Sequence, residues 1–302
     1  MAKKKSALNR FFSRCAIAMM KSTSGWKQSS RTRVANWLAA LAWYVIPKRR
    51  KVTLRNLELC FPDWPAEKRE EVAKGVFRNL LRAAIDHSVL IKGTREEVQN
   101  YVKFEGKEEF LKLTQEHPVI VVTPHFVGLD QGGIGINTFY RGCSLYQPQS
   151  NPLWDKVFYD ARKRFSDPVL IPKSNSAMKE VIRAIRSGLS FYYLPDMDHG
   201  KRNSIFVPFF GVPAATLPMV SKLAKLTKAK VIWGIAETTP EGYTMHLSAP
   251  LENFPTDDAE ADTLRITQEL EKFILKHPDQ YLWSHRRFKT RPDGEPSVYE
   301  NL

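Results

Sequence analysis

The chain has 302 residues, 43% of them hydrophobic, and a formal net charge of +14. This length is enough to bury a full core as one large domain with a modest extension. Residues 1–55 hold fourteen of the 46 lysines and arginines and none of the 32 acidic residues, so the excess positive charge lies in the N-terminal arm. Three widely spaced cysteines argue against a disulfide-stapled fold and are typical of reduced thiols facing the cytosol.

The N-terminal arm contains two short apolar stretches. The first, within residues 11–20, is interrupted by Arg14, and the second spans the thirteen residues 34–46. A membrane-spanning helix needs about 20 apolar residues, so neither stretch is predicted to cross a bilayer. Tryptophans inside apolar segments flanked by basic clusters favour helices that lie on an anionic membrane surface. We therefore predict a basic amphipathic membrane-associating arm over residues 1–50 and a separate domain over residues 51–302.

Two other interpretations of the arm are less favoured. A secretory signal peptide would require a longer uninterrupted apolar run and a small-residue cleavage pattern. Nucleic-acid binding would suit basic residues with interleaved aromatics, but these tryptophans lie among apolar residues instead. We expect no nucleic-acid partner.

Strands and helices alternate along the rest of the chain. Helical spacing predicts a long helix over residues 66–91, after an amphipathic segment at 53–60 and a break at 61–65. The predicted strands are 101–104, 119–122, 144–147, 169–171, 189–194, 230–237 and 243–247. The predicted helices are 107–115, 152–165, 176–186, 218–226 and 257–276. This alternation predicts an α/β fold with a mixed, largely parallel sheet flanked by helices.

The segment after the second strand carries a histidine and a carboxylate five positions apart, His125 and Asp130. On a continuous helix these side chains would point about 140° apart, so His125 must lie in the turn and Asp130 on the first helical turns. Pro124 and Gly128 favour such a non-helical entry. An imidazole at the carboxyl end of a buried strand, with a carboxylate to fix its tautomer, suits a general base for an alcohol. The competing interpretation is an ordinary structural His–Asp pair.

The sequence gives no sign of covalent or metal chemistry at this place. No serine or cysteine is suitably near to be a nucleophile, and no further His or Cys cluster completes a metal site. We predict no metal and no cofactor.

Several stretches together resemble the bacterial lipid A late acyltransferases of the lauroyl/myristoyl type. They are "PHFVGLD", "NPLWDKVFYDARKRF", "PDMDHGKRNSIFVPFFG" and "YLWSHRRFKTRPDGEPSVY", with "KRRKVTLRNLELCFPDW" resembling the sequence that follows the family's membrane anchor. The likeness extends from about residue 46 to residue 299. Many of these enzymes have Glu where this chain has Asp130, and they usually have one clear membrane-spanning helix.

The resemblance implies a glycerolipid acyltransferase-like fold, with residues 51–302 as the acyltransferase domain, and a definite reaction. A fatty acyl chain would pass from acyl-carrier protein to a hydroxyl of a Kdo-bearing lipid A precursor, at the cytoplasmic face of the inner membrane. His125 would be the base and Asp130 the acid that orients it.

The matching motifs supply four candidate substrate-binding residues: Arg162, Asp196, Asp198 and Arg202. Arg162 matches the family pattern and could grip an anionic group of a substrate. The two aspartates follow a predicted strand, where they could bind substrate hydroxyls, pair with Arg162, or cap the turn at Gly200. Arg202 could meet an anionic headgroup or the acidic carrier protein, and a plain surface role is equally open.

Two further sets of residues contain histidines or a run of basic side chains. The basic run that includes His285 and Arg287 is either a solvated face or a cationic lip for an anionic acceptor. His87 and the histidines at 117, 199, 246 and 277 match no motif and are predicted to be structural.

Two rival functions stay open at this point. One is an acyltransferase for another lysophospholipid or aminolipid acceptor. The other is a non-catalytic basic adaptor that binds nucleic acid or membrane, which the His125 motif disfavours.

Overall fold

A computed structural model of the protein describes residues 2–174, 176–300 and 302, with only the backbone for residues 2–8. Within these residues the helices are α1 Ala2–Ser22, α2 Gln28–Val45, α3 Pro47–Cys60, α4 Ala66–Lys92, α5 Arg95–Tyr101, α6 Lys107–Glu116, α7 Leu129–Ile136, α8 Pro152–Lys163, α9 Ala177–Arg186, α10 Met219–Thr227 and α11 Ala259–Lys276. The strands are β1 Val102–Glu105, β2 Val119–Val122, β3 Cys143–Tyr146, β4 Val169–Pro172, β5 Phe191–Tyr193, β6 Ile205–Phe209, β7 Val212–Thr216, β8 Lys230–Thr238 and β9 Tyr243–Leu247.

Seven strands form one sheet in the order β1-β9-β8-β2-β5-β3-β4. All neighbours pair in parallel except β8 and β9, which are antiparallel. The central strand β2 is the apolar run Val-Ile-Val-Val, and every residue in it is buried. Its alternate residues enter two separate core clusters, one on each face, as expected for a sheet covered on both sides. The predicted α/β fold with a largely parallel sheet is confirmed.

Two features of the fold are absent from the sequence-based prediction. The hairpin of β6 and β7 turns at Phe210 and Gly211, which both have positive φ. Pro208 and Pro213 lie inside its strands, and proline within a run normally argues against a strand. Helix α5 spans seven residues, too few for a periodic pattern, and starts with a capping box between Thr94 and Glu97.

The second helix of the arm packs against the domain. Arg31 on α2 is buried and donates to Asp86 of α4 at 2.9 Å, while Ala35, Ala39 and Ala42 are buried below it. The opposite face of α2 stays exposed, including Trp37. None of the helices among the described residues is both long and apolar enough to cross a bilayer. The boundary near residue 50 remains a prediction, but α2 shares its packing with the domain that follows.

Candidate active site

His125 and Asp196 lie side by side at the carboxyl edge of the sheet. His125 follows β2 and Asp196 follows β5, and these two strands are parallel neighbours. The His125 Nδ1 atom is 2.7 Å from Asp196 Oδ1, and the His125 backbone N–H donates to Asp196 Oδ2 at 2.9 Å. One carboxylate therefore holds both the ring and the backbone of His125.

The loop that carries His125 is fixed from its other side by the C-terminal segment. The His125 carbonyl accepts from the backbone N–H of Leu282 at 3.0 Å, and the N–H of Val127 donates to the Gln280 carbonyl at 2.8 Å. Phe126 forms an isolated antiparallel bridge with Tyr281. The imidazole is thus held by residues far apart in the sequence.

The environment of Asp196 fixes its protonation state. Its side chain is 1% exposed. Burial alone would raise its pKa, but the charge of His125 and the two hydrogen bonds from that residue lower it below the usual value. An ionised carboxylate can only accept, so Nδ1 of His125 carries a proton, and in the neutral form of the ring Nε2 is then the nitrogen with the lone pair. The ring is 19% exposed, and Nε2 has no hydrogen-bond partner within the part of the chain that the structure describes.

The predicted pairing of His125 with Asp130 is wrong in the structure. Asp130 lies on the first turn of α7, as expected, but its carboxylate is bound by other residues. Arg162 of α8 donates to it from Nε at 3.0 Å and from Nη2 at 2.7 Å, and His87 Nε2 of α4 lies 3.1 Å away. The reason is that Arg162 and His87 reach the Asp130 carboxylate from α8 and α4, while the turn before α7 packs closely on the sheet, where a Cβ at Gly128 would lie 2.8 Å from the Ala236 carbonyl oxygen. The helix start is thereby fixed with Asp130 between α4 and α8.

His87 is therefore part of this second cluster and not an isolated structural histidine. Its Nδ1 lies 3.0 Å from the Ala83 carbonyl oxygen, while its Nε2 faces the Asp130 carboxylate. Both neighbours are acceptors, so both bonds form together only when the ring is the imidazolium. Burial would raise the pKa of Asp130, yet the positive charges of Arg162 and His87 hold that pKa far below its usual range. Asp130 thus stays ionised beside Arg162 and His87.

The predicted substrate-binding residues do not lie together in one cluster in the structure. Asp198 accepts from the backbone N–H of Gly200 at 2.8 Å and from the N–H and hydroxyl of Thr290 at 2.7 and 2.8 Å, so it caps the turn and ties down the C-terminal segment. Asp196 does not pair with Arg162, whose partner is Asp130. Arg202 is exposed on the loop before β6. It makes no described hydrogen bond to either charged cluster.

The basic run near the C-terminus is not one solvated face. Arg287 is buried and donates to the Ala215 carbonyl at 2.7 Å and to the Thr216 hydroxyl at 2.6 Å. His285 Nε2 accepts from the Asp198 backbone N–H at 3.3 Å. Burial, with the nearby charges of His125 and Arg287, lowers the pKa of His285 from 6.5 to about 4. His285 is therefore a neutral neighbour of the site near pH 7.

The chain shows clear similarity to proteins of known class. The sequence model of the family "Bacterial lipid A biosynthesis acyltransferase" matches residues 2–290. The chain belongs to this family. A lipid A biosynthesis acyltransferase of Haemophilus influenzae is 34% identical over 258 residues, which cover 84% of this chain and 82% of the relative. In Escherichia coli K12, a lipid A biosynthesis palmitoleoyltransferase is 32% identical, over 87% of this chain and 86% of its own. A lauroyltransferase of the same organism is 31% identical, over 88% of each chain.

Membership establishes lipid A biosynthesis acyltransfer as the class of activity. The acyl groups named for the relatives differ, with palmitoleoyl and lauroyl transferases at nearly the same identity. Overall similarity therefore does not distinguish the acyl chain. No group of three or more His, Cys, Asp or Glu side chains suited to a metal ion occurs in residues 9–174 and 176–300.

The sequence contained part of the signal for the true partner of His125. Asp196 directly follows a predicted strand, as His125 does, and both were candidate site residues. The order of strands in the sheet was missing, because parallel neighbours are not read from sequence distance. That β5 lies beside β2 is what brings Asp196 to the imidazole.

Proposed function

We propose that this lipid A biosynthesis acyltransferase moves a fatty acyl chain from acyl-carrier protein to a hydroxyl of a Kdo-bearing lipid A precursor. The observation that carries the proposal is the His125–Asp196 pair, in which Nδ1 is bonded to a buried carboxylate and Nε2 has no hydrogen-bond partner among the described residues. This is the arrangement a general base needs to activate an alcohol.

The proposed chemistry begins with proton transfer from the acceptor hydroxyl to His125 Nε2. Asp196 stabilises the resulting imidazolium through Nδ1–H. The acceptor oxygen bonds to the thioester carbonyl carbon, and collapse of the tetrahedral intermediate breaks the C–S bond. The departing thiolate of the carrier's phosphopantetheine arm then takes the proton from Nε2, which restores the neutral imidazole.

The Asp130–Arg162–His87 cluster is proposed to bind substrate and not to act as the base. Arg162 uses Nε and Nη2 on Asp130, which leaves Nη1 for an anionic group of the acceptor. Its side chain is about a quarter exposed, so such a group can reach it. Asp130 holds the guanidinium in one orientation, since the paired hydrogen bonds fix the plane of the fork.

We also propose that the enzyme works at the cytoplasmic face of the inner membrane, on an anionic lipid surface. The exposed face of α2 carries Trp37, Leu41, Tyr44 and Val45. All of the chain's excess positive charge lies in residues 1–55. Apolar side chains beside basic clusters favour binding to an anionic bilayer surface.

The test is a transfer assay with purified full-length protein in detergent micelles. Radiolabelled acyl groups are supplied on acyl-carrier protein or on coenzyme A, with a Kdo-bearing lipid A precursor or a lysophospholipid as acceptor. We expect transfer from acyl-carrier protein to the lipid A precursor, and its near loss in His125→Ala. Preferred transfer to the lysophospholipid would support the rival acceptor class, and full activity of a folded His125→Ala protein would refute the base assignment.

A further inference from the structure

A groove of about 380 Å³ lies between α1 and α8, away from His125. We call it the α1–α8 groove. Its volume falls within the range of small-molecule binding sites. Its apolar lining comes from three helices, namely Ile17 and Ala18 on α1, Ile91 on α4, and Leu153, Val157 and Ala161 on α8. The groove therefore presents a narrow apolar surface suited to a hydrocarbon chain.

Cationic side chains surround this apolar floor. Arg14 and Lys21 lie seven residues apart on α1, about two helical turns, so they share the face that borders the groove. Across from them are Lys156 on α8 and Arg164 directly after it, and the single acid of the lining, Asp160, is paired with Lys156 at 2.9 Å. Neither Arg14 nor Lys21 forms an ion pair within the described side chains. The rim thus has a net positive charge that favours an anionic group.

Helix α8 separates the groove from the active site. Leu153, Val157 and Ala161 face the groove at helical spacing, whereas Phe158 and Arg162 point to the other side. The Phe158 ring packs edge-to-face on His87 at 5.1 Å, and Arg162 binds Asp130. The α1–α8 groove is consequently a second site. It is separated from the Asp130–Arg162–His87 cluster by helix α8.

We propose that the α1–α8 groove binds one acyl chain of an anionic membrane phospholipid, with the headgroup phosphate at Arg14 and Lys21. The apolar floor matches the chain, and the unpaired cations of α1 match the phosphate. Phe11, Phe12 and Met19 are exposed on the same helix, which extends the apolar surface beyond the groove. This inference rests on the proposed association with an anionic membrane surface, and the lipid held in the groove is distinct from donor and acceptor.

The test uses full-length protein on vesicles that contain a phosphatidylglycerol with a photoreactive group in its acyl chain. After irradiation, labelled peptides are identified by mass spectrometry. We expect saturable labelling of the segments 14–21 and 153–161. The labelling should be several-fold weaker when the same photoreactive acyl chain is carried by phosphatidylcholine. Val157→Trp, which fills the groove, should reduce the labelling at least tenfold. Leu226→Trp is the matched control, because Leu226 is exposed on α10 and does not line the groove.

Ala18→Phe fills the groove from the α1 side and serves if Val157→Trp does not fold. Arg14→Gln with Lys21→Gln should remove the preference for phosphatidylglycerol, because the two cations that distinguish a net anionic headgroup from a zwitterionic one are lost. Undiminished labelling in both groove-filling variants would overturn the proposal, as would equal labelling by the two lipids. Displacement of the probe by acyl-loaded carrier protein would also overturn it, since the groove would then belong to the donor. Because the readout is binding, loss of acyl transfer in a separate assay would leave this result unaffected.

Discussion

Asp196→Asn should disable the base while leaving the fold of the site nearly unchanged. The Asp and Asn side chains have the same shape. The Asn carbonyl oxygen can still accept from the His125 backbone N–H, which in the native protein donates to Asp196 at 2.9 Å. Its NH₂ group then faces Nδ1, which lies 2.7 Å from the carboxylate oxygen in the native site. A donor at that place requires Nδ1 without a proton, so the imidazole proton moves to Nε2. The nitrogen that must take the alcohol proton is then already occupied.

The expected loss follows from what the base contributes. General base catalysis is worth about 10²–10⁴-fold, and the same Asp→Asn change beside the histidine of serine proteases costs about 10⁴-fold in kcat. We predict a fall in kcat of about 10³-fold for Asp196→Asn with KM within a few-fold of wild type, because the base touches the acceptor only at the reacting hydroxyl.

Initial rates of acyl transfer, with thermal unfolding as a check of the fold, measure this effect. Asp130→Asn is the matched comparison, since it makes the same change at the carboxylate that sequence spacing alone assigned to His125. We expect it to raise KM through Arg162 and to lower kcat much less. A large kcat loss in Asp130→Asn together with near-normal turnover in Asp196→Asn would show that Asp130, and not Asp196, supports the base.

Three further outcomes are expected. Arg162→Lys keeps the positive charge but loses the paired hydrogen bonds to Asp130. We therefore expect kcat/KM to fall about 10–100-fold, with most of the change in KM. An unchanged KM would show that Arg162 does not bind substrate. His285 has a folded pKa of about 4 against an ordinary 6.5, so the unfolded chain takes up its proton first as the pH falls. Stability should therefore drop by about 2 kcal/mol between pH 6.5 and 4 after allowance for partial exposure, and His285→Gln should flatten that part of a urea-unfolding series. Arg31→Met leaves Asp86 buried without its closest partner and should lower the free energy of unfolding by about 3 kcal/mol, whereas a loss below about 1 kcal/mol would show that α2 is not held by this pair.

The strands that carry the site were predictable because their sequences are strongly patterned. The apolar run of β2 and its abrupt end at Pro124 placed His125 at the carboxyl edge of the sheet, and the predicted turn before α7 placed Asp130 on its first helical turn. Local sequence determines both features. The side-chain partners were decided by long-range packing instead, through the adjacency of β2 and β5 and the approach of α4 and α8 to Asp130. His87 gave no local signal, since its partner lies 43 positions away.

The hairpin of β6 and β7 forms although its local sequence disfavours strands. Its two prolines argue locally against strands, yet Pro208 and Pro213 pair with each other in a two-stranded ribbon, where proline is tolerated at an edge. Propensity was overridden there by the tight turn at Phe210 and Gly211.

The proposed mechanism depends on the tautomer of the His125 imidazole, and nitrogen NMR of the histidine side chains reports it directly. Protein labelled with ¹⁵N-histidine, with the His125 signals assigned by their loss in His125→Gln, should show a protonated Nδ1 and an unprotonated Nε2 at pH 8. Asp196→Asn should reverse this pattern, and Asp130→Asn should leave it unchanged. A wild-type His125 with its proton on Nε2, or a pattern that responds to Asp130 and not to Asp196, would contradict the mechanism.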